Sequence, residues 1–166
     1  VSAADTEGVA SVTRGEIPET ESYDDLIDAF NSVVENEEVT ITLLKDIDLD
    51  DKICTTAQSC KITLDLNGKT VSGTHKDGVL MINNNASVRV TDSGTGGTII
   101  GSNEFSYTTG NDFSSIIYYR GVVSVLDGKF ILENGNISNT NNEDDGCGIF
   151  VCGASSEIFI SGGNIS

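Results

Sequence analysis

The chain has 166 residues, of which 37% are hydrophobic, and its 18 glycines and single proline exclude a collagen-like or proline-rich chain. Asp and Glu number 26 against 9 Lys and Arg, a formal net charge of −17, which argues against nucleic acid and anionic lipid as partners. No apolar run is long enough to cross a bilayer, so membrane insertion is not expected.

Residues 1–21 are predicted to be an extended or disordered lead-in, because they show no apolar periodicity and contain the only proline. Residues 22–36 are predicted to form the single convincing helix, with Ser22 as N-cap and Asp25 three residues later. The apolar residues fall at helical spacing on one face: Tyr23, Leu26, Ile27, Phe30, Val33 and Val34.

Strand-like alternation begins at residue 39, and Ile41, Leu43, Ile47 and Leu49 are predicted to point inward. The acids that alternate with them are interpreted as an outward row: Asp46, Asp48, Asp50 and Asp51. Calcium binding by these four acids is the alternative. An EF-hand loop needs Gly and Glu where this loop has Asp51 and Ala57. No cofactor is therefore assigned, with calcium kept as the alternative.

The four cysteines do not have the spacing of a zinc site. Cys54 and Cys60 flank a corner short enough for a disulfide. Cys147 and Cys152 flank GIFV, which holds them too far apart if it is extended, so buried thiols are expected there. Cysteine usage permits an oxidising compartment without proving one.

The stretch ITLDLNGKTVSG at residues 62–73 recurs at 88–101, 130–139 and 158–166. Each copy has an inward apolar pair, a corner with glycine and a closing apolar residue. The corners Gly68, Gly97, Gly135 and Gly163 are separated by steps of 29, 38 and 28 residues. A period near 28 with one insertion, and no helical pattern within it, predicts three short strands per turn of a right-handed parallel β-helix.

The predicted fold class is therefore all-β: a right-handed parallel β-helix (solenoid) of about five coils over residues 39–166. An N-terminal capping α-helix over residues 22–38 is predicted to cover its first coil. A helix along the side of the solenoid is the alternative. The core ladder is predicted to contain two sets of inward residues: Leu66, Val90, Leu132 and Ile160, and Val71, Ile99 or Ile100, Ile137 and Ile165.

The insertion lies within residues 102–120 and holds five of the ten aromatic residues. Long loops on a regular scaffold often carry function, and aromatic faces beside polar groups suit sugar rings. The candidate ligand-binding residues are Tyr107, Asn111, Asp112, Tyr118, Tyr119 and Arg120. Aromatics that only pin the loop onto the coils are the alternative.

Asp144 and Asp145 in the next loop resemble the Asp-Asp segment of polygalacturonases, and they are the candidate catalytic pair. The other motifs of that family do not match: Asn141 follows Asn139-Thr140, and His75 lies in GTHKDG. No catalytic residue is therefore assigned, and whether the chain is an enzyme stays open, with a non-enzyme favoured.

Residues 39–166 resemble the pectin-lyase-like superfamily, and LLKDIDL followed by ITLDLNGKTVSG is similar to the first coils of secreted or cell-wall-attached bacterial proteins. The resemblance implies a non-catalytic extracellular or cell-surface binding or adhesion module that contacts polysaccharide or host glycans. A polysaccharide lyase, a glycoside hydrolase or a fragment of one is the alternative.

The last six residues, SGGNIS, repeat the pattern of ENGNIS one coil earlier, so the chain stops at the same point of the repeat. Such an end would expose Ile158, Ile160 and Ile165 at the edge of the sheets. We therefore expect either that the native protein continues past Ser166 or that two copies associate end to end through the C-terminal coil.

Overall fold

The structure is a computed structural model, which describes residues 8–15, 19–102, 106–109, 115–118, 121–141 and 147–166. The described chain is mostly β-strand with a single short helix, α1 (Leu26–Asn31). The strands are β1 (Ala10–Arg14), β2 (Glu19–Tyr23), β3 (Glu38–Leu43), β4 (Ile47–Leu49), β5 (Ile53–Cys54), β6 (Lys61–Asp65), β7 (Thr70–Gly73), β8 (Leu80–Ile82), β9 (Ala86–Thr91), β10 (Thr98–Gly101), β11 (Ser106–Thr109), β12 (Ser115–Tyr118), β13 (Val123–Val125), β14 (Gly128–Leu132), β15 (Asn136–Asn139), β16 (Ile149–Val151), β17 (Glu157–Ile160) and β18 (Asn164–Ile165).

Three sheets contain all these strands except β11 and β12. The long sheet has the order β17-β14-β9-β6-β3-β1-β2, the five-stranded sheet β18-β15-β10-β7-β4, and the four-stranded sheet β16-β13-β8-β5. From β3 onward every pairing within these sheets is parallel. The predicted all-β class with parallel sheets is therefore confirmed.

The chain visits the three sheets in a fixed order, and we call one such visit a unit. The units are β3-β4-β5, β6-β7-β8, β9-β10-β13, β14-β15-β16 and β17-β18. Aligned positions in the long sheet, from Val39 through Ile62, Val88 and Phe130 to Ile158, are 23, 26, 42 and 28 residues apart. The step of 42 contains β11 and β12, so the predicted insertion is confirmed at this place in the chain.

Apolar residues form continuous columns through the units, because parallel strands in register place like positions side by side. One column in the long sheet is Ile41, Leu64, Val90, Leu132 and Ile160. A column in the five-stranded sheet is Ile47, Val71, Ile99, Ile137 and Ile165. All their members from the second to the fourth unit are almost completely buried.

Seven of the eight predicted ladder positions align as predicted, and Leu66 does not. This residue is buried, but Leu64 is the one that aligns with Val90. The prediction placed the inward residue five positions before Val71, which is the spacing of Leu132 and Ile137, whereas Leu64 and Val71 are seven apart. Of the two candidates at the next position, Ile99 is the buried one.

The corner between the long and five-stranded sheets is held by a buried aspartate. Asp92 is only 8% exposed, and its two carboxylate oxygens accept hydrogen bonds from Gly68 N at 2.6 Å and Gly97 N at 2.8 Å. Gly68 has φ 70°, a left-handed conformation that favours glycine. The corners of successive units are therefore fastened to each other by a carboxylate as well as by strand pairing.

The described part of the N-terminal segment is more ordered than predicted. Instead of a lead-in, β1 pairs antiparallel with both β2 and β3, and so extends the long sheet beyond the first unit. Ala10 and Val12 are completely buried in the core. The Arg14 guanidinium forms ion pairs with Glu37 and Glu21, each at 3.0 Å.

Helix α1 is shorter than the predicted 22–36. Its N-cap is Asp25, whose Oδ1 accepts a hydrogen bond from Ile27 N at 2.7 Å. Ser22 is not the N-cap, because residues 22 and 23 belong to β2 and pair with β1. Leu26, Phe30 and Val33 are buried as predicted, but Val34 lies beyond the helix and is 61% exposed. The helix contacts β1, β2 and β5, which is the edge strand of the four-stranded sheet.

Candidate functional site

The insertion forms a two-stranded antiparallel ribbon, β11–β12, which is not part of the three large sheets. Its register pairs Tyr107 with Ile117 and Ser106 with Tyr118, so the two tyrosines occupy adjacent rungs. These are two of the six predicted ligand-binding residues. The other four, Asn111, Asp112, Tyr119 and Arg120, lie outside the described residues.

A second candidate is a cleft of about 310 Å³ between the start of α1 and strand β4. We call it the acidic cleft, because six aspartates line it: Asp24, Asp25, Asp46, Asp48, Asp50 and Asp51. Its apolar lining consists of Val9, Leu26, Ile27, Ile47 and Leu49. The four predicted calcium candidates are therefore together in this cleft.

Strand alternation positions the acids of β4 and its flanks. Asp46, Asp48 and Asp50 are exposed, whereas Leu49 between them is buried and Ile47 is partly buried against the core. This is the outward row of acids that the sequence predicts. The acids of the β2–α1 connection were missed as cleft residues, because only the packing of α1 beside β4 brings them there.

Several of the cleft carboxylates already accept hydrogen bonds within the fold. Asp46 Oδ1 accepts from Thr70 N at 2.8 Å, and Asp48 Oδ1 accepts from Ser72 Oγ at 2.8 Å, so both tie β4 to β7. In the described part of the chain, no three His, Cys, Asp or Glu side chains form a group that could hold a metal. The calcium alternative therefore gains no support from the geometry.

A charged cluster adjoins the acidic cleft at Asp51. Lys52 Nζ lies 2.7 Å from Asp77 Oδ2, and His75 Nε2 lies 3.4 Å from Asp51 Oδ1. His75 Nδ1 accepts a hydrogen bond from Asp77 N at 3.1 Å, which assigns the proton of the neutral ring to Nε2. The cluster therefore joins the loop before β5 to the loop before β8.

Both members of the Lys52–Asp77 pair have shifted pKa values. Partial burial acts to raise the pKa of Asp77, but the hydrogen bond and charge of Lys52 outweigh it, so the pKa is lowered. The hydrogen bond to Asp77 raises the pKa of Lys52. Both groups are therefore charged at neutral pH, as an ion pair that fastens two loops requires.

All four cysteines carry reduced thiols, so the disulfide considered for Cys54 and Cys60 is not formed in this structure. Burial raises the pKa of Cys54, Cys60 and Cys147. A catalytic thiol needs a lowered pKa, because the thiolate is the nucleophile. These three cysteines therefore serve packing better than nucleophilic chemistry.

The candidate catalytic pair, Asp144 and Asp145, lies outside the described residues. Arg89, one of the two arginines of residues 39–166, forms an ion pair with Glu133, the residue that follows the neighbouring strand β14 of the long sheet. Its guanidinium is therefore engaged by a carboxylate of the chain itself.

The described residues include no helix of the length and apolar character needed to cross a membrane. No family model, curated protein or solved structure matches the chain.

Proposed function

We propose that residues 39–166 form a right-handed parallel β-helix of the pectin-lyase-like type. The strand pairing supports this, because each strand lies beside its counterpart in the preceding unit in all three sheets. Connections between parallel strands of one sheet are right-handed in almost all proteins. The contacts of α1 with the edge strand β5 support its role as the cap of the first coil.

We further propose that the chain is a non-catalytic binding or adhesion module, secreted or displayed on a bacterial cell surface, that contacts glycans. The observation that carries the proposal is the ribbon β11–β12, the insertion into an otherwise regular arrangement of units. The inserted segment also holds half of the aromatic residues of the chain. Aromatic rings stack on sugar faces, and regular scaffolds commonly carry binding groups on such insertions.

The ligand class follows from charge as well as from the aromatic residues. A net charge of −17 opposes binding of nucleic acid and of anionic lipid, whereas uncharged glycans are not repelled. A polysaccharide or a host cell-surface glycan is therefore the proposed partner. Hydrolysis would require two carboxylates about 5–9 Å apart across a groove. Of the six aspartates of the acidic cleft, Asp25, Asp46 and Asp48 already accept hydrogen bonds that hold the fold together, which favours a structural role for them.

The test is a screen of glycans by array, followed by titration of the best ligand into single variants. We expect Tyr107→Ala to weaken binding at least about tenfold, as loss of a stacking ring does, with the melting temperature nearly unaltered. Tyr107→Phe is the matched control, because it keeps the ring. Tyr118→Ala is tested separately, because the two tyrosines lie on adjacent rungs.

Two results would reject the proposal. If Tyr107→Ala and Tyr118→Ala lower the melting temperature while affinity survives, the rings anchor the insertion and do not bind ligand. If assays for reducing sugar and for unsaturated product on the same sample detect turnover, the module is an enzyme.

A further inference from the structure

Two Asn-Gly dipeptides occur in the sequence, Asn67-Gly68 and Asn134-Gly135. Each lies at a corner between the long and five-stranded sheets, the first between β6 and β7 and the second between β14 and β15. An asparagine followed by glycine can lose its side-chain amide, because a glycine has no Cβ to hinder attack by its backbone nitrogen on the side-chain carbonyl carbon. This chemistry is independent of the ribbon β11–β12 and of the proposed glycan binding.

The reaction needs water and no other reactant. The backbone nitrogen of the glycine gives up its proton and bonds to Cγ of the asparagine, while the bond between Cγ and Nδ2 breaks. The proton ends on the departing nitrogen, which leaves as ammonia, and the chain now contains a cyclic imide. Water then adds to one of the two carbonyl carbons of the imide and opens the ring, which gives either aspartate or isoaspartate.

Asn134 is held in an arrangement that favours this ring closure. Its Oδ1 accepts a hydrogen bond from Gly135 N at 2.8 Å, so Cγ, which is one bond from Oδ1, lies beside the nitrogen that attacks it. Its Nδ2 donates to Asp92 O at 3.1 Å, which fixes the orientation of the amide. Asn134 is exposed, so water reaches the side chain. Holding two reacting groups together raises the rate of their reaction.

Asn67 is held in a different arrangement. Gly68 N donates to the carboxylate of Asp92 at 2.6 Å, so loss of its proton would place a negative nitrogen against a negative oxygen. The Asn67 amide is engaged by the neighbouring strand β3, because Nδ2 donates to Leu43 O at 2.9 Å. Asn67 is also only partly exposed. The structure therefore opposes the reaction at this corner.

The glycine that makes Asn134 reactive is itself required by the packing of the corner. Gly135 has φ 93°, and a Cβ at this position would lie 2.8 Å from Leu66 Cδ1. The corner is covered by a unit on each side, since Asp92 belongs to the preceding unit and Gly135 O accepts from Asn164 N of the following unit at 3.0 Å. Another residue in place of Gly135 would remove the reactivity only by straining this packing.

We propose that Asn134 is a site of spontaneous deamidation in the folded protein and that Asn67 is protected from it. Conversion replaces the Nδ2 donor by a carboxylate that faces Asp92 O, and it adds a negative charge beside Glu133. The isoaspartate product also inserts one extra carbon into the backbone of the corner. The corner between β14 and β15 is therefore weakened irreversibly as the molecule ages.

The first experiment measures the rate of deamidation at each site. The full chain is incubated at about 37 °C and about pH 8.5, and tandem mass spectrometry of its peptides locates each gain of about 1 Da. We expect Asn134 to convert at least about tenfold faster than Asn67. The control is the same chain unfolded in urea, where these hydrogen bonds are absent and the two rates should agree within about threefold.

Three outcomes of this experiment would overturn the proposal. One is an Asn67 that converts as fast as Asn134 in the folded chain, or faster. Another is a ratio of the two rates that is the same in urea, because the fold would then not cause it. The third is an Asn134 that stays intact in the folded chain over a period in which the unfolded chain converts.

The second experiment measures the consequence for stability. The melting temperature of the native chain should fall by about 2–4 °C as Asn134 converts, because the corner loses a hydrogen bond. Asn134→Gln is the matched control, since it keeps an amide but its longer side chain disfavours closure of the ring. Its melting temperature should not change over the same incubation. Equal falls for the two chains, or a converted native chain with an unchanged melting temperature, would refute the weakening of the corner.

Discussion

Truncation of Leu132 to alanine tests the column packing on which the whole fold depends. Leu132 is completely buried, and it lies between Val90 and Ile160 in the long sheet. The change removes three carbons, which at about 0.8 kcal/mol each is about 2.4 kcal/mol of transfer free energy. The cavity left behind adds to this, so we expect a loss of about 3–4 kcal/mol in the free energy of unfolding.

Ile160→Ala is the matched control in the same column, because this side chain is already 55% exposed. Less than half of its surface leaves water on folding, so the expected loss is about 1 kcal/mol. Urea unfolding followed by circular dichroism gives both values from the midpoints, provided that the m-value is unchanged.

A loss of less than about 0.5 kcal/mol for Leu132→Ala would contradict the column packing, because a buried side chain cannot lose three carbons at so small a cost. Equal losses of free energy for the two variants would contradict it as well. In that case the difference in burial between the fourth and fifth units would not exist in solution.

Asp92→Ala is expected to lower the free energy of unfolding by about 2 kcal/mol, because two corner amides lose their acceptor. Asp50 is exposed, so Asp50→Ala should change the free energy of unfolding by less than about 0.5 kcal/mol. Equal effects of the two substitutions in urea titration would exclude the role of Asp92 at the corner. Lys52 lowers the folded pKa of Asp77, so this carboxylate stabilises the fold above its unfolded pKa of about 3.9 and loses that contribution as the pH falls through the folded pKa. The free energy of unfolding of the native protein should therefore exceed that of Asp77→Asn by at most about 1 kcal/mol at pH 7, and the two should be equal near pH 2. A difference in the free energy of unfolding that does not depend on pH would refute this.

The sequence predicts the faces of the strands better than the lengths of the corners between them. Alternation with a period of two identifies Val90, Leu132 and Ile137 as inward, because one face of each strand must be buried. Corner length is set by turn geometry and differs from unit to unit. A constant spacing therefore selected Leu66, although Leu64 is the aligned residue.

The N-terminal strands could not be predicted with the same certainty. In β1 only Ala10 and Val12 are apolar and buried, which is too short an alternation to distinguish from an irregular segment. These strands form because β3 offers an edge with which β1 pairs. The same pairing shortens α1, because residues 22 and 23 belong to β2.

Only the part of the acidic cleft that depends on local sequence could be predicted. The exposed row of Asp46, Asp48 and Asp50 follows from local alternation, and it was predicted. The cleft itself was not, because Asp24 and Asp25 reach it only through the packing of α1 beside β4. Residues more than 20 positions apart give no periodic signal of such proximity.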